Sequence, residues 1–262
     1  AEEARLGSNP YRLGFIGSTD THSGIPGYVD SINFLGHIAT VDDSVEERLG
    51  PGNITHDAAI YNPGGLAAVW ATENTRTAIF DAMQRRETFA TSGPRIPIRF
   101  FAGENLPTDL CDKEDRLDTA YAAGVPMGGS LSGLATSPVF IAWADKDTGT
   151  EGQPGTALQR LQIIKGWRDG DGTLREQVFE VAGSPDNGAS VDTETCDTVG
   201  AGHESLCSVW TDPEYNPTQS AFYYLRAIEN PTCRWSTRQC KQATEEQPGN
   251  IPAACTDGSL PQ

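Results

Sequence analysis

Asp20 and His22 stand two residues apart in the stretch GFIGSTDTHSGIPG, residues 14–27. A carboxylate brings charge and a neutral imidazole a directional nitrogen, a donor pair suited to a divalent transition metal such as zinc, manganese or iron. The run RLGFIGST just before them is short and apolar, of the kind that forms a fully buried strand. Residues i and i+2 of a strand share a face, so both groups are expected to aim at one spot. Taken alone, the pair also reads as a turn-capping aspartate beside a hydrogen-bonded loop histidine. A catalytic zinc site takes three protein ligands and keeps a position for water, so further donors must come from elsewhere.

The other histidines are His37, His56 and His203. His37 and His56 follow the pair in a long loop region and are placed to close over it, although each also reads as an ordinary loop residue. His203 lies between two cysteines in a Gly-rich loop and reads as structural. In QRRETFATSGPR, residues 84–95, Arg85 and Arg86 fall at the end of a helical pattern, where cations meet the negative pole of the helix. Thr91, Ser92 and Gly93 then make a tight polar turn, and Arg95 is placed to pair with an anion or to serve structure alone. No GxSxG elbow is present, and the Gly-rich stretches lack the Lys and following helix of a phosphate-cradling loop.

These groups belong to a chain of 262 residues with 36 acidic and 19 basic side chains and a formal charge of −17. Such a surface repels a phosphate backbone, so nucleic acid is not an expected partner. No apolar run is long enough to span a bilayer. Six cysteines, none in a CxxC pair, concentrate in the last third and fit disulfides in an oxidising, extracytoplasmic compartment, periplasmic or secreted. The short-loop pairings are Cys196 with Cys207 and Cys233 with Cys240, among fifteen possible connectivities.

The elements that must position the pair lie in the first hundred residues, which read as α/β. Helical periodicity appears in ENTRTAIFDAMQRRETF, with Ala78, Ile79, Ala82 and Met83 on one face. RIPIRFFAG follows as a strand with Ile96, Ile98 and Phe100 alternating. Beyond about residue 105, PVFIAWADKD, ALQRLQIIKGWRDGDG, EQVFEVAGS and SAFYYLRAIEN are β-type segments without a convincing helix, which predicts an antiparallel sandwich-like domain. RDGDGT lacks EF-hand spacing and reads as a hairpin turn. The tail from 241 to 262 is polar and Pro-rich and is expected to be poorly ordered unless Cys255 pins it.

Taken in order, GFIGSTDTHSGIPG, NPGGLAAVWATENTRTAIFDAMQRRETFATSGPRIPIRFFAG, GVPMGGSL, LQRLQIIKGW and ENPTCRWST resemble the carboxyl-terminal half of bacterial proteins grouped as the domain of unknown function 3604. That family is related to the polymerase-and-histidinol-phosphatase (PHP) metallohydrolases, and the resemblance spans most of residues 10–240. It implies that residues 1–104 are the carboxyl-terminal part of a distorted (β/α)7 barrel, followed by the sandwich-like domain at 105–240. Asp20 and His22 match the last ligand pair of a two- or three-metal cluster, in which a metal acidifies a bridging water. Arg95 and His37 are then substrate-side groups for a small phosphoester. In such proteins the first ligands come from an amino-terminal His-x-His strand, which nothing before residue 14 supplies. The site in this chain is therefore expected to be incomplete, and the missing amino-terminal half or another copy is expected to cover the open strand edges. Ser130 stands where relatives are expected to carry an acidic residue. The alternatives are a non-catalytic extracellular binding or scaffold module, and hydrolysis of another ester such as a sulfate ester.

Overall fold

The computed structural model describes residues 6–7, 9, 11–30, 32–38, 41–50, 62–151 and 153–260. Helix α1 (Val45–Leu49) is closed by a capping box in which the Ser44 side chain and Glu47 exchange bonds. Next, β1 (Leu66–Val69) and β2 (Thr88–Thr91) pair antiparallel, joined through α2 (Arg76–Gln84). The α2 cap is Thr75, whose hydroxyl accepts from the Ala78 amide. Ala78 and Ala82 of the expected apolar face are buried, whereas Met83 is half exposed. The helix ends one turn earlier than its periodicity extends, because Arg86 takes a left-handed conformation (φ 61°) and turns the chain into β2.

The bulk of the molecule is two facing sheets. One is four-stranded, made by β3 (Ile98–Gly103), β4 (Val125–Pro126), β5 (Val139–Asp145) and β10 (Ser205–Thr211) in the order β10-β5-β3-β4. The other is three-stranded, made by β6 (Leu158–Arg168), β7 (Leu174–Gly183) and β11 (Ala221–Glu229) in the order β11-β6-β7. A small ladder of β8 (Ser190–Val191) and β9 (Thr198–Val199) lies apart. In β5, Phe140, Ala142 and Ala144 face the opposite sheet, where they meet Leu161, Ile163 and Leu225. Ile141 and Trp143 point the other way, onto Phe101, Leu110 and Ala120. Each such large apolar side chain removed from water contributes about 1.5–3 kcal/mol. The sheet crosses the expected boundary at 104/105, since β3 pairs with β5 along six residues.

Three disulfides tie this framework: Cys111–Cys207, Cys196–Cys233 and Cys240–Cys255. The short-loop pairings expected from spacing are not formed, because α3 (Arg116–Ala123) and the 3-10 turn before it carry Cys111 onto β10. Beyond about residue 105, where no helix was expected, two helices form. In α3 only Ala120 is buried, and in α4 (Trp235–Glu246) the buried residues are Trp235, Ser236 and Gln239, so neither presents an apolar stripe. The buried Gln239 amide is fully occupied: it donates to Asn33 Oδ1 and the Phe34 carbonyl, both at 2.7 Å, and accepts from Arg48 Nε at 3.0 Å. With Phe34, Leu49 and Trp235 it forms a third core, onto which Cys255 and Leu260 also pack. The boundary drawn at 240/241 thus falls inside α4, and its disulfide holds the following chain.

The expected (β/α)7 barrel is absent. Among the described residues every strand pair is antiparallel, whereas a barrel of that type needs parallel strands linked by helical crossovers. RLGFIGST forms no strand, and Leu13, Phe15 and Ile16 are 77, 58 and 64% exposed. An apolar run becomes a strand only when other strands pair with its backbone, and this one makes a single backbone bond to the ladder beside it, from Gly65 N–H to the Ser18 carbonyl at 2.7 Å. The loop RDGDGT does join β6 to β7 as a hairpin, closed by Asp169 N–H to the Thr173 carbonyl at 2.9 Å.

Candidate functional site

Gly17 lets the segment carrying Asp20 lie directly on the β1–β2 ladder. A Cβ at Gly17 would stand 2.7 Å from the Leu66 carbonyl and 3.1 Å from that of Thr91. Beyond it the chain turns, with Ser18 Oγ accepting from the Asp20 amide at 3.1 Å and Thr19 Oγ1 from the Thr21 amide at 3.3 Å. Asp20 adopts φ 55°, a left-handed conformation that Asp tolerates better than most residues. The strand relation between Asp20 and His22 is therefore not the one that places them. Instead, His22 N–H donates to the His37 carbonyl at 2.7 Å and His37 Nδ1 donates to the Asp20 carbonyl at 3.1 Å. The His37 amide is in turn held by the Asp42 carboxylate, which also accepts from Ile38 N–H at 2.8 Å.

This lattice brings Asp20, His22 and His37 into one loop cluster. The Asp20 and His22 side chains are exposed, and among the described residues neither has a hydrogen-bond partner. Carboxylate and imidazole are donor types that a divalent transition metal accepts. Among the described residues, however, no group of three His, Cys, Asp or Glu side chains could hold a metal ion, whereas catalytic zinc sites take three protein ligands. His56 lies outside the described residues. Arg95 is not brought to this cluster by any bond: its side chain is exposed, and its amide donates to Asp147 Oδ2 at 2.6 Å. Ser130 accepts from Arg12 Nη2. His203 serves through its backbone, exchanging bonds with Leu158 at 2.9 and 2.8 Å.

A second constellation stands at the other end of the same ladder. Trp70 follows β1 and Glu87 precedes β2, with Trp70 N–H donating to the Glu87 carbonyl at 3.0 Å. Arg99, from β3, lays its guanidinium 3.2 Å from the Trp70 ring centroid and donates from Nη1 to the Tyr121 hydroxyl of α3 at 2.9 Å. The Tyr121 hydroxyl donates to Glu87 Oε1, and Arg85 Nε donates to Glu87 Oε2 at 2.8 Å. Arg85 Nη2 reaches the Trp70 carbonyl at 2.6 Å, and the indole Nε1 donates to the Ile98 carbonyl at 2.9 Å. These side chains, with Ala71 and Thr72, line a cleft of about 350 Å³. Burial lowers the Arg99 pKa, opposed by Tyr121 and Glu87, and burial followed by Glu87 raises that of Tyr121.

The family model described as "Protein of unknown function (DUF3604)" matches residues 1–258. The chain belongs to the DUF3604 family. No curated protein and no solved structure gives a match to it. The match bears out the DUF3604 resemblance read from the motifs; it does not extend to the PHP metallohydrolases and carries no activity with it. Within this DUF3604 chain, the motif stretch at residues 62–103 builds both constellations, since β1 and β2 seat the Asp20 loop at one end and carry Trp70 and Glu87 at the other. Sequence reading accounted for Arg85 as a helix-end cation and passed over Trp70, Glu87, Arg99 and Tyr121. Their spacing carries no local signal, because four separate elements, β1, β2, β3 and α3, bring them together.

Proposed function

We propose that this chain contributes the ligands Asp20 and His22 to a divalent-metal hydrolase acting on a small phosphoester, with His37 and Arg95 on the substrate side. The observation that carries this reading is an unengaged carboxylate and an unengaged imidazole, two residues apart, on a loop whose backbone is tied at Ser18, Asp20 and His22. Further support is the resemblance of the surrounding motifs to the DUF3604 family, whose relation to metallohydrolases is part of this proposal. The remaining donors come from outside the described residues, from the amino-terminal half of such an enzyme or from another copy. Exposed Leu13, Phe15 and Ile16 are the apolar surface that such a neighbour would cover. The three disulfides fit a periplasmic or secreted location.

The test is Asp20→Ala and His22→Ala in the natural full-length protein, assayed for metal content and for turnover of p-nitrophenyl phosphate and its diester with added zinc or manganese. Each change is expected to lower metal stoichiometry and remove metal-dependent turnover. Unchanged turnover in either variant removes that residue from the mechanism. A second reading is an extracytoplasmic binding module, with which the lack of any group of three metal-binding side chains among the described residues agrees. It predicts that the full-length protein binds no transition metal at all.

A further inference from the structure

We propose that the cleft lined by Trp70, Arg85, Glu87, Arg99 and Tyr121 binds a small monocarboxylate on the open edge of the Arg99 guanidinium. Two cations face one anion here, since Arg85 and Arg99 both pair with Glu87, at 2.8 and 4.0 Å. Glu87 is almost fully buried, with a side chain 3% exposed, and both its oxygens are engaged, by Arg85 and by Tyr121. One positive charge is left over on a chain whose net charge is −17.

Arg99 is where the excess falls. Its side chain is only 14% exposed, yet among the described residues one of its five N–H donors has a partner, the Tyr121 hydroxyl. Its Nε and Nη2 have none among the described residues, and neither is sealed from the cleft. Guanidinium donors that face the cleft without a protein acceptor are available to a ligand that enters it. Stacking on Trp70 fixes the guanidinium plane, so a ligand meets it edge-on, the geometry of a bidentate carboxylate. A monoanion neutralises the surplus, whereas a dianionic phosphoryl group would set its second charge against Glu87. The cleft, at about 350 Å³, lies near the lower end of ligand-pocket volumes and selects for small size.

The site is distinct from the Asp20 loop. Gly65, which bonds that loop, and Trp70 are separated by about 17 Å of extended chain. The reading therefore stands whether or not the chain serves a metal enzyme.

Isothermal titration of the purified protein at neutral pH and constant ionic strength, with sodium acetate, sodium benzoate, sodium sulfate and inorganic phosphate as probes, tests it. Saturable one-to-one binding is expected for at least one carboxylate. Arg99→Lys keeps the charge but loses the fork and is expected to weaken that binding about tenfold, and Arg85→Gln by a smaller factor. Arg85 is the more exposed of the two, so Arg85→Gln keeps the test valid if Arg99→Lys fails to fold. No saturable carboxylate binding, affinity unchanged in a folded variant, or tighter binding of phosphate or sulfate would each overturn the proposal.

Discussion

Lys165 Nζ lies 2.6 Å from the Asp212 carboxylate, with both side chains buried between the sheets. Both members make further bonds: Lys165 also donates to the Glu214 carbonyl at 2.8 Å, and Asp212 accepts from the Tyr223 hydroxyl at 2.7 Å and the Glu214 amide at 2.8 Å. Burial, followed by Asp212, drives the Tyr223 pKa upward, so the phenol stays a donor across the ordinary pH range. Removing one member leaves the other charge buried without its partner. Lys165→Met is expected to cost about 3–5 kcal/mol in urea unfolding, and Lys165→Met/Asp212→Leu to recover part of that loss. A double variant as unstable as the sum of the two single ones would show that the charges do not act as a pair.

Glu229, at the end of β11, has its pKa raised to about 7 by burial and by Asp147. An unfolded glutamate releases its proton near the ordinary 4.5. Between those values the folded state binds the extra proton, so this group's contribution falls as pH rises from about 4.5 to about 7 and is constant above. Urea midpoints measured across that window are expected to decline less steeply in Glu229→Gln than in the parent. Equal slopes would place the glutamate in a more solvated setting.

The Cys111–Cys207 bridge closes a loop of 96 residues. Chain-entropy reasoning assigns such a crosslink about 4–5 kcal/mol. Cys111→Ser/Cys207→Ser is expected to lose most of that in equilibrium unfolding, and more than Cys240→Ser/Cys255→Ser, whose loop spans 15 residues. The reverse ranking would mean that the tail crosslink, through the Phe34–Leu49–Trp235 core, carries the stability.

Gly17→Ala places a methyl group against backbone atoms of Leu66 and Thr91 that cannot yield. The Asp20 loop is expected to lift from the ladder while the sheets persist. Amide exchange reads this directly, since Gly65 N–H loses its bond to Ser18 and should exchange at least about tenfold faster, with the amides of β6 unaffected. Unchanged protection at Gly65 would show that the loop is seated by other contacts.

Local pattern was enough for much of this molecule. Alternation in RIPIRFFAG and the apolar run of PVFIAWADKD identify strands, RDGDGT marks the hairpin between β6 and β7, and six cysteines without metal spacing announce disulfides. Periodicity encodes which face is covered, a property of neighbouring residues in the chain. It does not encode what covers that face. RLGFIGST has strand composition without strand partners, so the barrel expectation fails there. Gln239, polar and buried, holds α4 against Asn33 some two hundred residues away, where no apolar stripe signals a helix.

The candidate sites divide in the same way. Residue types alone singled out Asp20, His22 and His37 for the proposed chemistry, and motif order identified the family. Only the folded chain decided that backbone bonds through His37 hold this loop, that Cys111 meets Cys207, and that Arg99 stacks on Trp70 beside Glu87 and Tyr121. Each of those contacts joins residues on different elements, and their partners are chosen by how the sheets and helices pack, which no single stretch of sequence specifies.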